Sequence, residues 1–156
     1  MDMTFSRNIA CIALIGSLGF GAAASAQDVS AAVSARQGSM NILALNIGVL
    51  AGMARGNAEY DAETAQAAAD NIATISMMDQ RFYWPPGSDS DSFEGSRVLA
   101  SAWEDFAGVA EKSAAFGAAA EGIQAAAGNG LEAMQAALGP LGASCGACHD
   151  DYRQPE

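Results

Sequence analysis

The feature that most constrains the fold of this 156-residue chain is the spacing of its apolar residues, which recur every three or four positions. This spacing is typical of one face of a helix, and no stretch alternates with the period of two expected for a half-buried strand. It predicts four helices, over about residues 28–55, 61–79, 97–127 and 131–153. The sequence therefore predicts an all-α fold.

The segments between the predicted helices differ in length. The first and last connections are short and contain glycine, whereas residues 82–96 lose the helical period and include Pro85, Pro86 and Gly87. Short turns join antiparallel neighbours, and one long connection crosses the end of the assembly. We therefore expect an antiparallel four-helix bundle, an architecture that builds cofactor sites between facing helices.

The first 26 residues resemble an export signal and not part of the fold. Arg7 supplies a basic start, residues 9–20 form an apolar run, and residues 24–26 read Ala-Ser-Ala, a small-residue cleavage sequence. The apolar run is shorter than the roughly 20 residues that a spanning helix needs. We expect cleavage after Ala26, a single domain over residues 27–156, and no membrane span after processing.

The chain is strongly acidic, with 7 Lys+Arg against 18 Asp+Glu and a formal net charge of −11. Phosphate contacts need a basic stripe, so this balance argues against nucleic acid and against anionic membrane surfaces. A charged protein partner should be basic. Paired carboxylates, a nucleophile with its base, and a phosphate loop are not recognisable, so we expect no enzymatic turnover.

Residues 145–149 read Cys-Gly-Ala-Cys-His, the C-x-x-C-H spacing of covalent haem attachment. On a helix the thiols of Cys145 and Cys148 share a face and can reach two vinyl groups on one porphyrin edge, while His149 places its imidazole under the iron. The motif predicts one haem c per chain with His149 as the axial ligand.

Three other uses of this motif are possible in principle, and each has a weakness. A disulfide within one helix closes too small a loop to restrict the unfolded chain much. A thioredoxin-like redox pair belongs to a fold that contains strands. A zinc site needs a fourth ligand, and the mature chain offers no other histidine or cysteine, only a carboxylate such as Asp150. Haem attachment is the strongest of the four hypotheses.

Several motifs, in this order along the chain, resemble the class II c-type cytochromes, and most closely cytochrome c′. They are residues 36–40, 55–56, 60–61, 84–87, 103–106 and 145–153. The resemblance implies a bacterial, periplasmic four-helix bundle that is often a homodimer. It also places Met40 on the distal side of the haem, either as a bulky shield or as the sixth ligand of low-spin relatives.

Other side chains are expected around the haem. Met40 follows Arg36 by one helical turn, and Arg36 with Gln37 is the natural partner of a haem propionate. Arg153 lies four residues after His149 and should flank the proximal side of the iron. Four aromatic residues are expected in the core or against the haem, and an acidic pair should lie on a solvated face. The aromatic residues are Trp84, Trp103, Phe106 and Phe116, and the pair is Glu104 and Asp105.

Two functions fit these residues. One is electron transfer in the periplasm, and the other is binding of small neutral gases such as nitric oxide and carbon monoxide. Firm ligation by Met40 would favour electron transfer, and an open iron would favour gas binding.

The first predicted helix also carries a second apolar face at Ile42, Leu45, Val49 and Met53, which predicts a homodimer formed through that helix.

Overall fold

The structure, a computed structural model, describes residues 22–155 and places most of them in helices. The helices are α1 (Ala22–Ala54), α2 (Ala62–Ser76), α3 (Ser101–Glu104), α4 (Phe106–Ala126) and α5 (Leu131–Tyr152). Over these residues there is no strand, and one isolated antiparallel bridge joins Val98 to Arg153. The prediction of an all-α fold is confirmed. Most of the predicted signal, residues 1–21, lies outside the described residues.

The four long helices form the bundle. α1 packs against α2 and α5, and α4 packs against the same two helices, so each helix has two neighbours around a common core. Short connections join α1 to α2 and α4 to α5, and the long connection over residues 77–100 joins the two pairs. In the part of the chain described, no helix is long and apolar enough to cross a membrane.

The core is built largely from small side chains. Its larger members, which are fully buried, are Leu50, Ile72, Ile123, Met134 and Leu141. Alanines of α2 and α4 fill the spaces between them and allow the helices to approach closely. Each buried leucine, isoleucine or methionine contributes about 1.5–3 kcal/mol through removal of apolar surface from water.

The helix ends follow local sequence signals. The Asp61 carboxylate accepts a hydrogen bond from the Thr64 backbone N–H at 2.8 Å, which caps α2 as predicted. Gly56 has φ of 72° just after α1, the left-handed conformation that favours glycine. Both signals act within one turn of chain, so they could be predicted from the sequence.

The prediction of one continuous helix over residues 97–127 is wrong. Residues 97–99 run alongside the end of α5: the Leu99 N–H donates to the Tyr152 carbonyl, and the Gln154 N–H donates to the Arg97 carbonyl, both at 2.9 Å. The chain then turns once as α3 and breaks at Asp105. The break arises because the Asp105 carboxylate accepts from the Gly108 N–H at 3.0 Å and so starts a new helix.

The predicted second apolar face of α1 is only partly exposed. Met53, expected on that face, is 5% exposed and belongs to the core, whereas Met40, expected on the distal side of the haem, is 48% exposed. Val49 is half-buried against the core. The apolar surface left outside is therefore narrower than predicted and centres on Ile42 and Leu45.

Candidate functional site

The last turns of α5 carry the two cysteines and the only histidine. Cys145 and Cys148 are half-buried free thiols, three residues apart, and so share one side of the helix. Burial raises the pKa of both thiols above their ordinary value of 9.0. Within the described chain no group of three or more His, Cys, Asp or Glu side chains could hold a metal ion, so a zinc site has no support.

His149 and Arg153 line one small cavity at the end of α5. Its volume is about 200 Å³, and Asp150, Gln154 and Pro155 complete its lining. The spacing of four residues places both side chains on the same side of the helix, as the sequence analysis expected. A guanidinium beside the imidazole would supply positive charge and hydrogen-bond donors next to the axial ligand.

The end of α5 is held by contacts that the sequence analysis missed. The Tyr152 hydroxyl donates to Asp105 Oδ2 at 2.6 Å, and Lys112 forms an ion pair with Asp151 at 3.0 Å. The hydrogen bond to Asp105 raises the pKa of Tyr152 to about 12. Asp105, expected on a solvated face, thus joins α4 to the helix that carries the cysteines. Asp105 stands directly before the apolar start of α4, and this position was the sequence signal for a helix N-cap.

Arg36 lies on α1 facing the long connection and is 7% exposed. One terminal nitrogen of its guanidinium donates to the Tyr83 carbonyl and to Ser88 Oγ, and the other donates to the Ser88 carbonyl, each at 2.7 Å. A longer bond of 3.4 Å reaches Ser96 Oγ. Burial lowers the pKa of Arg36, although the guanidinium stays charged at neutral pH. The structure therefore commits its terminal nitrogens to the connection, and contact with a propionate stays a prediction.

Gln37 also contacts the connection. Its side-chain amide donates to the Gly95 carbonyl at 2.7 Å, while the residue itself stays exposed. Arg36 and Gln37, the predicted partners of a propionate, thus both form hydrogen bonds with the same connection. A haem contact by Gln37 stays a prediction as well.

The predicted aromatic residues divide into two groups. Trp84 and Trp103 meet edge to face, with ring centroids 6.0 Å apart, and the Trp103 ring N–H donates to the Trp84 carbonyl at 3.3 Å. Phe116 packs against the core as expected. Phe106 is 64% exposed and so does not belong to the core, and its contact with haem stays a prediction. It is the first residue of α4, where the break at Asp105 turns it outward.

Met40 points in nearly the same direction as Arg36, because four residues advance a helix by about 40° beyond one full turn. Arg36 is buried by the connection, whereas about half of the Met40 side chain is left uncovered by protein. A large apolar side chain that protein covers only in part suits a residue that packs on a prosthetic group. The two thiols and the imidazole of α5 supply the donor set for covalent haem, so the residues fit that group.

Comparisons with known proteins agree with this assignment. The family model described as Cytochrome C′ matches residues 31–153. A cytochrome c′ from Cereibacter sphaeroides is 39% identical over 132 residues, covering 85% of this chain and 89% of that protein. Cytochrome c-554 of the same organism is 37% identical over 131 residues, covering 84% and 86%.

Solved structures share the fold. Cytochrome c′ from Rhodobacter sphaeroides has a TM-score of 0.80 and 36% identity, covering 82% of this chain and 98% of its own. A variant of cytochrome c′ from Alcaligenes xylosoxidans, solved as its nitric oxide complex, has a TM-score of 0.72 at 31% identity, covering 82% and 97%. A further cytochrome c′, described as having ligand-controlled dimer dissociation, has a TM-score of 0.75 at 27% identity, covering 81% and 97%.

Proposed function

Because the chain belongs to the cytochrome c′ family, whose members carry covalently attached haem c, we propose that it binds small neutral gases and exchanges electrons at a histidine-ligated haem iron. The observation that carries the proposal is the placement of Cys145, Cys148 and His149 on the last turns of α5. Two variants of cytochrome c′ from Alcaligenes xylosoxidans, solved with nitric oxide and with carbon monoxide bound, support this proposal.

Each residue of the motif has a defined role in the proposal. The Cys145 and Cys148 thiols form the two thioethers, and the His149 imidazole is the axial ligand. Bound haem supplies an iron that can change between ferric and ferrous states and can take a diatomic ligand. In this proposal the last turns of α5 hold the imidazole in place, and Arg153 lies beside the proximal face of the haem.

Gas binding and electron transfer make different demands on Met40. As a shield, the side chain covers the distal face without a bond, which leaves a coordination position for a gas. As a sixth ligand, the thioether favours ferrous iron and supports rapid electron transfer. We favour the shield, because the cytochrome c′ of Cereibacter sphaeroides shares 39% identity with this chain. The alternative is a low-spin carrier, and similarity to cytochrome c-554 supports it.

We place the protein in the bacterial periplasm. The signal-like sequence over residues 1–26 supports export. The excess of acidic residues favours a basic redox partner, whose approach would be steered by charge. In this proposal the protein carries electrons or captures small gases, and it does not turn over a substrate.

We also propose a homodimer formed through α1. Ile42 and Leu45 are half or more exposed on the outer side of this helix. A two-fold axis beside them would bring the same apolar patch from each subunit together. A related cytochrome c′ is described as having ligand-controlled dimer dissociation, which supports a dimer here.

Two measurements test the proposed function. After boiling in denaturant and extraction with acidic organic solvent, the pigment should remain on the polypeptide, and Cys148→Ser should leave at most one thioether. Ferrous protein should then take up carbon monoxide with a change in its absorption spectrum. Colour in the organic phase would contradict covalent attachment, and an unchanged spectrum would contradict gas binding.

A further inference from the structure

The long connection between α2 and α3 is attached to α1 mainly through Arg36, and Gln37 adds one bond to the Gly95 carbonyl. Arg36 reaches residues that lie 47 to 60 positions later in the chain, from Tyr83 to Ser96. Ser88 is fully buried, and its carbonyl also accepts from Ser96 Oγ at 2.8 Å. The guanidinium therefore closes the connection into a loop whose two sides are tied to the same point.

The same guanidinium lies against two indole rings. Its central carbon is 4.9 Å from the ring centroid of Trp84 and 5.9 Å from that of Trp103. These distances are within the range of cation–π attraction, which is strongest for tryptophan. Trp84 belongs to the connection and Trp103 to α3, so Arg36 also aligns the start of the second helix pair.

The contacts of this group are all with neutral partners: carbonyls, hydroxyls and aromatic faces. Only a planar fork with donors on both terminal nitrogens can make these bonds together while it stacks on a ring. Lysine would keep the charge and lose this geometry. Arg36 thus has a role that depends on its shape, in addition to any use of its charge.

We propose that Arg36 is a positioning residue that holds the residue 83–96 connection against α1 and so controls access to the distal side of the haem. Met40 lies one turn further along α1, in nearly the same direction. Tyr83 and Pro85 of the connection, with Ala32 and Ala35 of α1, line a cavity of about 550 Å³. If the connection moved away from α1, the opening between the two segments would become wider. The part of the inference that concerns gas access rests on the proposed function.

The experiment compares holoprotein variants under limited chymotrypsin digestion, with cleavage sites assigned by mass spectrometry. Arg36→Lys keeps the charge and removes the fork, and Ser88→Ala removes one acceptor only. Arg55→Lys makes the same substitution at an exposed position just after α1, and Ser113→Ala removes a hydroxyl at an exposed position of α4, so they serve as controls. Association of carbon monoxide with the ferrous proteins is measured in parallel.

We expect cleavage between Tyr83 and Phe93 to rise about tenfold or more in Arg36→Lys, since local opening follows the loss of several hydrogen bonds. Ser88→Ala should show a smaller rise, and both controls should match the wild type. Carbon monoxide should bind faster to Arg36→Lys and Ser88→Ala. If Arg36 served only to pair with a carboxylate, lysine at this position would keep that role. Cleavage at the wild-type rate in both Arg36→Lys and Ser88→Ala would therefore overturn the proposal.

Two further outcomes are informative. Equal acceleration of cleavage throughout the chain would indicate global unfolding and would also overturn a local positioning role. If the wild-type ferrous protein takes up no carbon monoxide, the proposed function fails, while the comparison of cleavage still decides whether Arg36 holds the connection.

Discussion

The Tyr152 hydroxyl donates a hydrogen bond to Asp105 Oδ2 at 2.6 Å, and the other oxygen of that carboxylate accepts from the Gly108 N–H at 3.0 Å. One side chain therefore caps the start of α4 and holds the last residue of α5. The bond from Tyr152, with that from Gly108, holds the pKa of Asp105 below its ordinary value of 3.8. Because Tyr152 follows His149 by three residues, this contact fixes the end of the helix that carries the haem motif.

Tyr152→Phe should lower the thermal midpoint of the holoprotein by a few degrees. The substitution removes the hydroxyl and leaves Asp105 Oδ2 without its donor. Tyr83→Phe is the matched control, because the contact of Tyr83 with Arg36 uses its backbone carbonyl. Equal midpoints for Tyr152→Phe and the wild type, measured by circular dichroism, would show that the bond contributes nothing to stability.

Tyr152 should titrate at about 12, above its ordinary value of 10.0, because its hydroxyl donates to a carboxylate. A pKa raised in the folded state gives a stabilising contribution that is full below pH 10 and is lost as the pH rises through 12. Carbon-13 NMR of labelled tyrosine rings follows this titration. In Asp105→Asn the pKa should move back toward its ordinary value, and a pKa unaffected by that variant would contradict the assigned cause.

Gly108→Ala should destabilise the protein by about 1–3 kcal/mol or more, because overpacking forces neighbours to move. A Cβ at this position would overlap the Asp105 carboxylate and the Tyr152 hydroxyl. Gly122→Ala is the control on the same helix, where a Cβ meets open space, and it should gain about 0.5–1 kcal/mol from helix propensity. Chemical denaturation measures both, and a stabilising Gly108→Ala would show that the close approach is not required.

Met40→Ala separates the two distal arrangements. If Met40 is a shield, ferric wild type should be high-spin and the variant should bind carbon monoxide faster. If it is a ligand, the variant should convert low-spin to high-spin iron and lower the reduction potential. Met78→Ala, at an exposed methionine beyond α2, is the control. We expect the shield, and a near-infrared sulfur-to-iron band in the wild type would decide against it.

Leu45→Glu should weaken self-association by about tenfold or more, because an ionised carboxylate replaces an apolar contact at the centre of the proposed interface. Leu45 is 69% exposed on α1, and Leu131→Glu changes another exposed leucine at the start of α5 as a control. Sedimentation of the holoproteins at micromolar concentration measures the change. A wild type that is already monomeric would remove the proposed interface.

Local signals were sufficient for much of this protein. The helical period, the Asp61 cap and the left-handed Gly56 each depend on neighbours within a turn or two of chain, so the sequence by itself determined the number of long helices and their short connections. The C-x-x-C-H motif is equally local. Its three chemical groups share one helix side whatever surrounds them.

Contacts between distant segments needed the tertiary structure. The bond of Tyr152 joins residues 47 positions apart, and the bonds of Arg36 span 47 to 60 positions, so no sequence period reports them. Met40 and Arg36 share one direction on α1, yet only the path of the connection buries one and leaves the other half exposed. The sequence alone determined the four long helices and the haem motif, and long-range packing decided which of their polar and apolar side chains are buried.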